Sequence, residues 1–445
     1  MTRRPVRIAA ATGLVALAVL CASARGLAQD WRSLAVASFD EAWRTINDTY
    51  FDPSFGGLDW PAVRTELAPR VASASSADAA RDVLREMLGR LHQSHFVLLA
   101  PPAEGDSPGG PATVPVEFRL IEQRVVVTNV VAGSSAERAG VRRGDVILSV
   151  DRGPLTEMAS VRPDDRVAYL AAWRRITTRL HGPDGSVAAL RVTRRGRERD
   201  LRVMRQREAG EEVTLGNLPP LVVRTFASEK RTPGGRRVGL AGFNVWMPAV
   251  GEPFASAVDV YRTADGMVID VRGNPGGLAD MIRGIAGHFL DQPLTLGRMK
   301  MRDLELEFRA NPRRSTTDGR RVTPYDGPVA LLVDELTGSA SECFAGGLQS
   351  LGRVRVFGVG SMGQALPAVT RELPNGDVLI YAVGDFVTST GVRLEGRGVR
   401  PDEVVAQSIK LLEEGRDGPL DAALRWIDRV LADKNLSRRP GAGRS

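Results

Sequence analysis

The chain is poor in the residues that cross-link small folds or bind metals. Its 445 residues contain 2 Cys and 4 His, and of 60 basic residues only those at positions 230, 300, 410 and 434 are lysine. So few cysteines exclude a disulfide scaffold and a cysteine-rich metal module. The histidines show none of the paired spacings, such as H-E-x-x-H, that hold zinc, so we expect no metal and no other cofactor.

Long apolar runs are scarce as well, and the longest stands at the N-terminus. Arg3, Arg4 and Arg7 precede an apolar run over residues 8–21, which is followed by small-x-small cleavage sites. This order is typical of a secretory signal peptide, and the run is too short for a permanent membrane span. We therefore predict that residues 1–28 are removed. We expect a periplasmic or secreted protein that meets a membrane only during export.

The basic charge of the chain is concentrated at its ends. The formal net charge is +7, of which residues 1–28 contribute +4 and residues 435–445 contribute +3. The body between them is neutral, so the charge balance gives no reason to expect nucleic acid as a partner. The apolar share of 43% excludes a largely disordered chain.

Hydrophobic periodicity divides the rest of the chain into parts. We expect a helical region, a β-rich domain, an α/β domain and a terminal helix with a polar tail, spanning residues 30–100, 113–207, 210–412 and 413–445. A linker rich in Pro and Gly precedes the β-rich domain. The strands expected in the α/β domain lie near residues 238–245, 267–271, 328–333, 355–359 and 377–382.

The β-rich domain carries a specific motif. It reads Ala139-Gly140-Val141-x-x-Gly144-Asp145 and is followed directly by an apolar strand. The motif closely resembles the PDZ domains of bacterial periplasmic proteases. PDZ domains bind an extended peptide or a C-terminus at a sheet edge, so the resemblance implies protein or peptide partners.

Two further motifs stand at the ends of buried strands. Ser339 lies in Gly-Ser-Ala-Ser-Glu at a helix start, where free N–H groups favour a nucleophile. Ser339-x-x-Glu342 is equally an ordinary capping box, so this motif alone leaves both interpretations open. Residues 272–277 read Arg-Gly-Asn-Pro-Gly-Gly, and their bare amides suit an oxyanion or a phosphate.

Taken together, these motifs resemble the carboxy-terminal processing protease family, which includes the tricorn core proteases. The resemblance implies a multidomain α+β protein with an N-terminal helical region, a PDZ-like β domain and an α/β protease core of crotonase-like, ClpP-like type. It implies a serine peptidase in which Ser339 is the nucleophile. The backbone N–H groups of Gly276 and Ala340 would form its oxyanion hole.

The family divides by the base that activates the serine. One branch uses a lysine in a glycine turn, but here Gln364 occupies that place and cannot accept a proton. The tricorn branch uses a Ser-His pair and a Glu-x-x-Gly-Val-x-Pro-Asp motif. Both are present here, as Ser94-His95 and as the motif that begins at Glu395. Glu395 would orient the imidazole through the Ser94 hydroxyl.

Several alternatives stay open at this point. His92 is a rival base three residues before His95, and His95 on its own also suits a core histidine. Glu395, between Arg393 and Arg397, also suits a surface carboxylate. The absent lysine is compatible with an inactive, peptide-binding scaffold. The sequence leaves a homo-oligomer open.

Overall fold

The computed structural model describes residues 31–101, 110–156, 161, 165–214 and 220–437. The expected signal segment at residues 1–28, most of the linker and the end of the polar tail lie outside the described residues. No helix within the described part is both long and apolar enough to cross a membrane. The chain forms two compact units. The first combines the residues up to Pro101 with Met301–Leu304 and Ala368–Gly384, and the second contains the remainder.

The first unit holds the predicted N-terminal helices. They are α1 (31–49), α2 (Trp60–Ala72) and α3 (Ala77–Gly89), with a 3-10 turn at Phe55–Gly57. The Asp59 side chain caps α2 by accepting from Ala62 N at 2.9 Å, and Ser76 caps α3 by accepting from Ala79 N at 3.1 Å. These caps fix where the two helices begin.

A three-stranded antiparallel sheet completes the first unit. Its strands are β1 (Val97–Leu99), β19 (Ala368–Glu372) and β20 (Val378–Ala382), in the order β1-β20-β19. The strand expected near residues 377–382 therefore forms, but its assignment to the α/β sheet was wrong. Asp377, which directly precedes β20, is buried and accepts from Arg81 Nε of α3 at 3.0 Å. This contact ties β20 to the helices of the first unit.

The second unit begins with the β-rich domain. Its elements are β2 (Ala112–Thr113), β3 (Val116–Ile121), β4 (Arg124–Val130), α4 (Ser135–Arg138), β5 (Val146–Val150), β6 (Gly153–Pro154), α5 (Arg166–Leu180), β7 (His181–Gly182), β8 (Val187–Arg194) and β9 (Arg197–Met204). The main sheet has the order β3-β4-β5-β8-β9. The apolar side of α5 packs into its core.

The α/β domain follows in the same unit. Its elements are β10 (Glu211–Val213), β11 (Leu221–Val223), β12 (Thr225–Arg231), β13 (Arg237–Phe243), α6 (Gly251–Val260), β14 (Gly266–Asp270), α7 (Met281–Ala286), β15 (Leu294–Met301), β16 (Glu305–Ala310), β17 (Val329–Val333), α8 (Ala340–Ser350), β18 (Arg355–Gly358), β21 (Gly384–Thr388), β22 (Glu403–Val404), α9 (Ile409–Glu413) and α10 (Gly418–Ser437). A 3-10 turn at Pro248–Val250 precedes α6.

A six-stranded sheet organises this domain. Its order is β12-β13-β14-β17-β18-β22, and the strands from β13 onward run parallel. Side chains of α6, α7 and α8 form the core on one face, and those of α10 form it on the other. Because β14 and β17 are parallel neighbours, the turns that follow them meet at one edge of the sheet.

The β-rich domain packs on the α/β domain within the second unit. Arg119 of β3 donates through Nε to Asp334 Oδ2 at 2.6 Å, just after β17, and both side chains are nearly buried. Leu336 joins the core of the β-rich domain. Leu412 of α9 packs against Ile121 and its neighbours on the sheet. The β-rich domain thus contacts the segment that leads to Ser339.

Candidate active site

Ser339 stands between β17 and α8 in a strained backbone conformation. Its φ is 51° and its ψ is −119°, a region that favours glycine. Such a conformation costs of order 1–3 kcal/mol and persists only where its surroundings fix it. Ala340 begins α8, and within the described residues its N–H has no hydrogen-bond acceptor. A strained serine thus stands beside a free amide at a helix start.

The glycine-rich turn after β14 lies directly against Ser339. Gly276 has φ of 111°, and a Cβ atom placed on it would lie 2.5 Å from Ser339 Cβ and 3.0 Å from Ala340 N. The Gly276 N–H donates to Asn274 Oδ1 at 3.0 Å. Gly338 N donates to the Asn274 carbonyl oxygen at 3.0 Å. The two turns therefore form one backbone cluster in which the Ala340 amide is free and the Gly276 amide is held by Asn274.

Gln364 is the next neighbour of Ser339. The Ser339 N–H donates to the Gln364 carbonyl oxygen at 2.8 Å. Position 364, where the resemblance led us to look for a lysine, thus lies beside the serine through its backbone. A glutamine amide there cannot act as a base.

Glu395 lies behind this loop and is buried. Its side-chain Oε2 accepts from Ala365 N at 2.8 Å, and Gly396 N donates to the Gly363 carbonyl oxygen at 2.9 Å. Arg393, its expected surface neighbour, pairs with Asp385 at 2.6 Å and donates through Nη1 to the Glu395 backbone carbonyl oxygen at 3.5 Å. The interpretation of Glu395 as a surface carboxylate was therefore wrong, since only 7% of the residue is exposed.

Ser94 and His95 form a hydrogen-bonded pair in the first unit. Ser94 Oγ lies 2.7 Å from His95 Nδ1, and His95 has a positive φ of 60°. Burial lowers the pKa of His95 to about 4, so the imidazole is neutral at neutral pH. His92, the rival base, is exposed. Ser94 thus fixes one imidazole nitrogen of His95 and leaves Nε2 for other contacts.

The candidate residues fall into two groups, each within its own unit. The second unit brings together Gly276, Ser339, Ala340 and the loop that holds Glu395. The first unit brings together Ser94 and His95.

Two contributions to this site were not predicted from the sequence. Glu342 was assigned only to a capping box, yet its buried carboxylate accepts four hydrogen bonds around Ser339. Burial raises the pKa of Glu342 to about 7, against the lowering effect of these donors. Asp334, the partner of Arg119, also accepts from Gly273 N at 2.8 Å. Apart from the capping contact of Glu342 with Ser339 N, these contacts join distant segments, and the sequence carried no signal for them.

Cys343 follows Glu342 in α8, and its N–H donates to the Ser339 carbonyl oxygen at 3.0 Å. Burial raises the pKa of the Cys343 thiol well above its usual value, which makes it a poor nucleophile. The described residues contain no group of three or more His, Cys, Asp or Glu side chains arranged to hold a metal ion.

Three segments match the models of known families. Residues 238–405 match peptidase family S41, residues 126–163 match the PDZ domain and residues 36–89 match the tricorn protease C1 domain. The S41 match covers the parallel sheet and Ser339. The PDZ match falls within the β-rich domain, and the tricorn C1 match covers most of the N-terminal helices.

Whole-chain comparisons agree with these matches. The chain is 26% identical over 379 residues to a carboxyl-terminal-processing protease of Synechocystis sp., covering 83% of this chain and 80% of the relative. It is 22% identical to a probable CtpA-like serine protease of Staphylococcus haemolyticus, covering 91% of this chain and 72% of the relative.

Solved structures share the fold. A photosystem II D1 C-terminal processing protease matches with a TM-score of 0.53 at 23% identity, covering 85% of this chain and 94% of that chain. Mature CPAF matches with a TM-score of 0.59 at 14% identity, covering 92% of this chain and 99% of that chain.

Proposed function

The chain belongs to the carboxyl-terminal-processing serine peptidases of family S41, and from this premise we propose that it is an exported endopeptidase that cleaves proteins or peptides. Ser339 is the nucleophile, and its Oγ attacks the scissile carbonyl carbon. The proton of the hydroxyl passes to His95, which returns it to the leaving amine. Water then hydrolyses the acyl-enzyme by the same route.

The oxyanion of the tetrahedral intermediate is bound by backbone amides. The Ala340 N–H is available at the start of α8, where the helix dipole also favours negative charge. The Gly276 N–H is the second donor, and it turns from Asn274 Oδ1 to the oxyanion as the charge develops. The close approach of Gly276 to Ser339 supports this role.

His95 serves as the base through Nε2, because its Nδ1 is engaged by Ser94. Glu395 accepts from the Ser94 hydroxyl and so stabilises the imidazolium that forms during attack. A carboxylate, a hydroxyl and an imidazole then replace the lysine that is absent at Gln364. The low pKa of His95 supports a neutral base at rest.

The PDZ domain captures C-terminal segments of substrates. An extended peptide adds to an edge of its sheet, as in other PDZ domains. Its contact with the chain before Ser339, through Arg119 and Leu336, supports a role close to catalysis. The N-terminal segment directs export, after which residues 1–28 are removed.

The strained φ of Ser339 beside a free helix amide is the observation that carries this proposal. The test is labelling of the purified chain with a fluorophosphonate probe, followed by peptide mapping. We expect labelling at Ser339, none in Ser339→Ala, and full labelling in Ser350→Ala at the other end of α8. A label on another residue of the wild type would contradict the proposal.

The second candidate function is an inactive, peptide-binding scaffold, which the glutamine at position 364 favours. A wild type that never labels, yet binds C-terminal peptides, would establish it.

A further inference from the structure

The Glu342 carboxylate connects two chain segments that meet at Ser339. Its Oε2 accepts from Ser339 N at 3.1 Å and from Gln364 N at 2.9 Å, and its Oε1 accepts from Gly363 N at 2.7 Å. Ser361 Oγ also donates to Oε1. Glu342 has no exposed surface, so water does not compete for these bonds. All four acceptor contacts are made to groups within the second unit.

This arrangement exceeds the requirements of a helix cap. A capping glutamate accepts only from the backbone N–H of the N-cap residue. At α4, Glu137 stands three residues after the N-cap Ser134, as Glu342 does after Ser339, but it is exposed and accepts from Gly133 N at 2.7 Å. Glu342 makes the contact to Ser339 N and adds three donors from residues 361–364. Its extra contacts all converge on the loop beside the nucleophile.

The loop that Glu342 holds also reaches the other candidate residues. Residues 361–364 pair with the nucleophile turn through Met362 N to the Thr337 carbonyl oxygen at 2.8 Å. The next residue, Ala365, donates to Glu395. Ser361 Oγ in turn accepts from Val399 N at 2.6 Å. Movement of this loop would therefore shift both Ser339 and Glu395.

The strain at Ser339 requires such a clamp. A non-glycine residue with φ of 51° relaxes to negative φ when its surroundings permit it. The N–H of Ser339 is held by both Gln364 O and Glu342 Oε2, and these bonds oppose that relaxation. Loss of the clamp would rotate the serine hydroxyl away from its line of attack.

We propose that Glu342 is a positioning residue, which acts through the backbone of Ser339 and the 361–364 loop to hold the nucleophile in its strained, reactive conformation. This inference rests on the proposed function, in which Ser339 attacks the substrate. Glu342 itself touches neither the substrate nor the reacting atoms. Its removal slows acylation and leaves substrate binding intact.

The test compares Glu342→Gln with Glu137→Gln. Glutamine keeps the size of Glu342, but its –NH₂ cannot accept and would face at least one backbone N–H, either that of Gly363 or those of Ser339 and Gln364. We expect fluorophosphonate labelling of Glu342→Gln to be about 100-fold slower, the scale for a nucleophile displaced by ~1 Å. For a peptide substrate, kcat should fall by a similar factor while KM changes by less than about threefold. Glu137→Gln should label at the wild-type rate.

The outcomes separate this inference from the proposed function. A wild type that does not label at Ser339 would overturn the proposed function and this inference with it. A folded Glu342→Gln that labels at the wild-type rate would overturn this inference alone. Equal losses in kcat and in substrate affinity would do the same, because they indicate a general structural role.

A second pair of variants applies if Glu342→Gln does not fold. Ser361→Ala removes one donor to Glu342, and Glu342→Asp shortens the side chain but keeps its charge. We expect labelling about 3- to 10-fold slower in each, from one weakened contact. Wild-type rates in both folded variants would overturn the inference.

Discussion

At the scale of the residue, the site depends on close backbone contact between two turns. Gly276 approaches Ser339 so closely that no side chain fits between them. The same turn lies against the start of α8, because a Cβ atom on Gly276 would be 3.0 Å from Ala340 N. Glycine is therefore required at this position for both space and backbone conformation.

Gly276→Ala should slow fluorophosphonate labelling at least about 100-fold, as for the loss of an oxyanion donor. The new Cβ would lie 2.5 Å from Ser339 Cβ, in a residue with φ of 111°. Gly284→Ala in α7 is the matched control, because its Cβ would meet nothing within 4 Å. The control should label normally, and equal labelling of both variants would show that the contact has no role.

The rate of fluorophosphonate labelling should fall in two steps as the pH is lowered from neutral. Glu342 accepts its four donors only when ionised, and burial raises its pKa to about 7. His95 accepts a proton only when neutral, and burial lowers its pKa to about 4. The labelling rate should therefore fall partly as the pH drops through about 7, and completely near 4.

The variant Glu342→Gln shows which residue causes each of the two steps. This variant should lack the step near pH 7 and keep the one near 4, as measured by labelling rates between pH 3.5 and 9. A single step near 6.5 in the wild type would instead indicate a solvent-exposed histidine.

At the scale of the element, one ion pair joins the PDZ domain to the turn that leads to Ser339. Arg119 of β3 pairs with Asp334, which also accepts from Gly273 N and Leu336 N. Removal of the arginine would leave a buried carboxylate without its cation. The pair thus couples the PDZ sheet to both turns of the site.

Arg119→Ala should lower the free energy of unfolding by about 3 kcal/mol, as for a broken buried pair. Arg191→Ala is the control, because its pair with Asp200 is exposed and solvent screening leaves it little effect on stability. Urea titration monitored by circular dichroism measures both. Equal effects of the two substitutions would contradict the assigned role of Arg119.

The sequence predicted most elements, and its failures have physical causes. The helices near residues 60 and 77 carry capping side chains, and the apolar strands of the parallel sheet read as continuous runs. Helix α5 was missed, although Asp165 caps it and Tyr169, Ile176 and Leu180 repeat at helical spacing. Strand β20 was assigned to the wrong sheet, because its partner at Val97–Leu99 lies far away in sequence.

The sequence could indicate those candidate residues that lie in short local motifs. Ser339, Gly276 and Ala340 stand in two local motifs, and the structure brings these motifs together. The capping box indicated the contact between Glu342 and Ser339 N, but the other partners of Glu342 and the partner of Arg119 lie 19 or more positions away, which no local pattern reveals.

At the scale of the whole molecule, charge and cysteine content suit an exported protein. Removal of residues 1–28 would take away four arginines and one of the two cysteines. The remaining thiol, Cys343, is buried. A chain without residues 1–28 would contain one cysteine, could form no internal disulfide and would depend on its hydrophobic cores for stability.

Expression of the full chain in a Gram-negative host should yield a periplasmic protein that begins at Gln29. N-terminal sequencing and intact mass determine this start, and replacement of Arg3, Arg4 and Arg7 by glutamate should retain the precursor in the cytoplasm. A cytoplasmic protein of full length from the unchanged chain would contradict export.

The central claim is that a serine peptidase without the usual lysine uses His95 as its base. The most direct measurement is kcat/KM for a peptide substrate in His95→Ala, with His92→Ala as the matched control. The account predicts a loss of at least about 10³-fold in His95→Ala, as for a missing triad base. It predicts a value within about threefold of the wild type in His92→Ala. An active His95→Ala together with an inactive His92→Ala would contradict it.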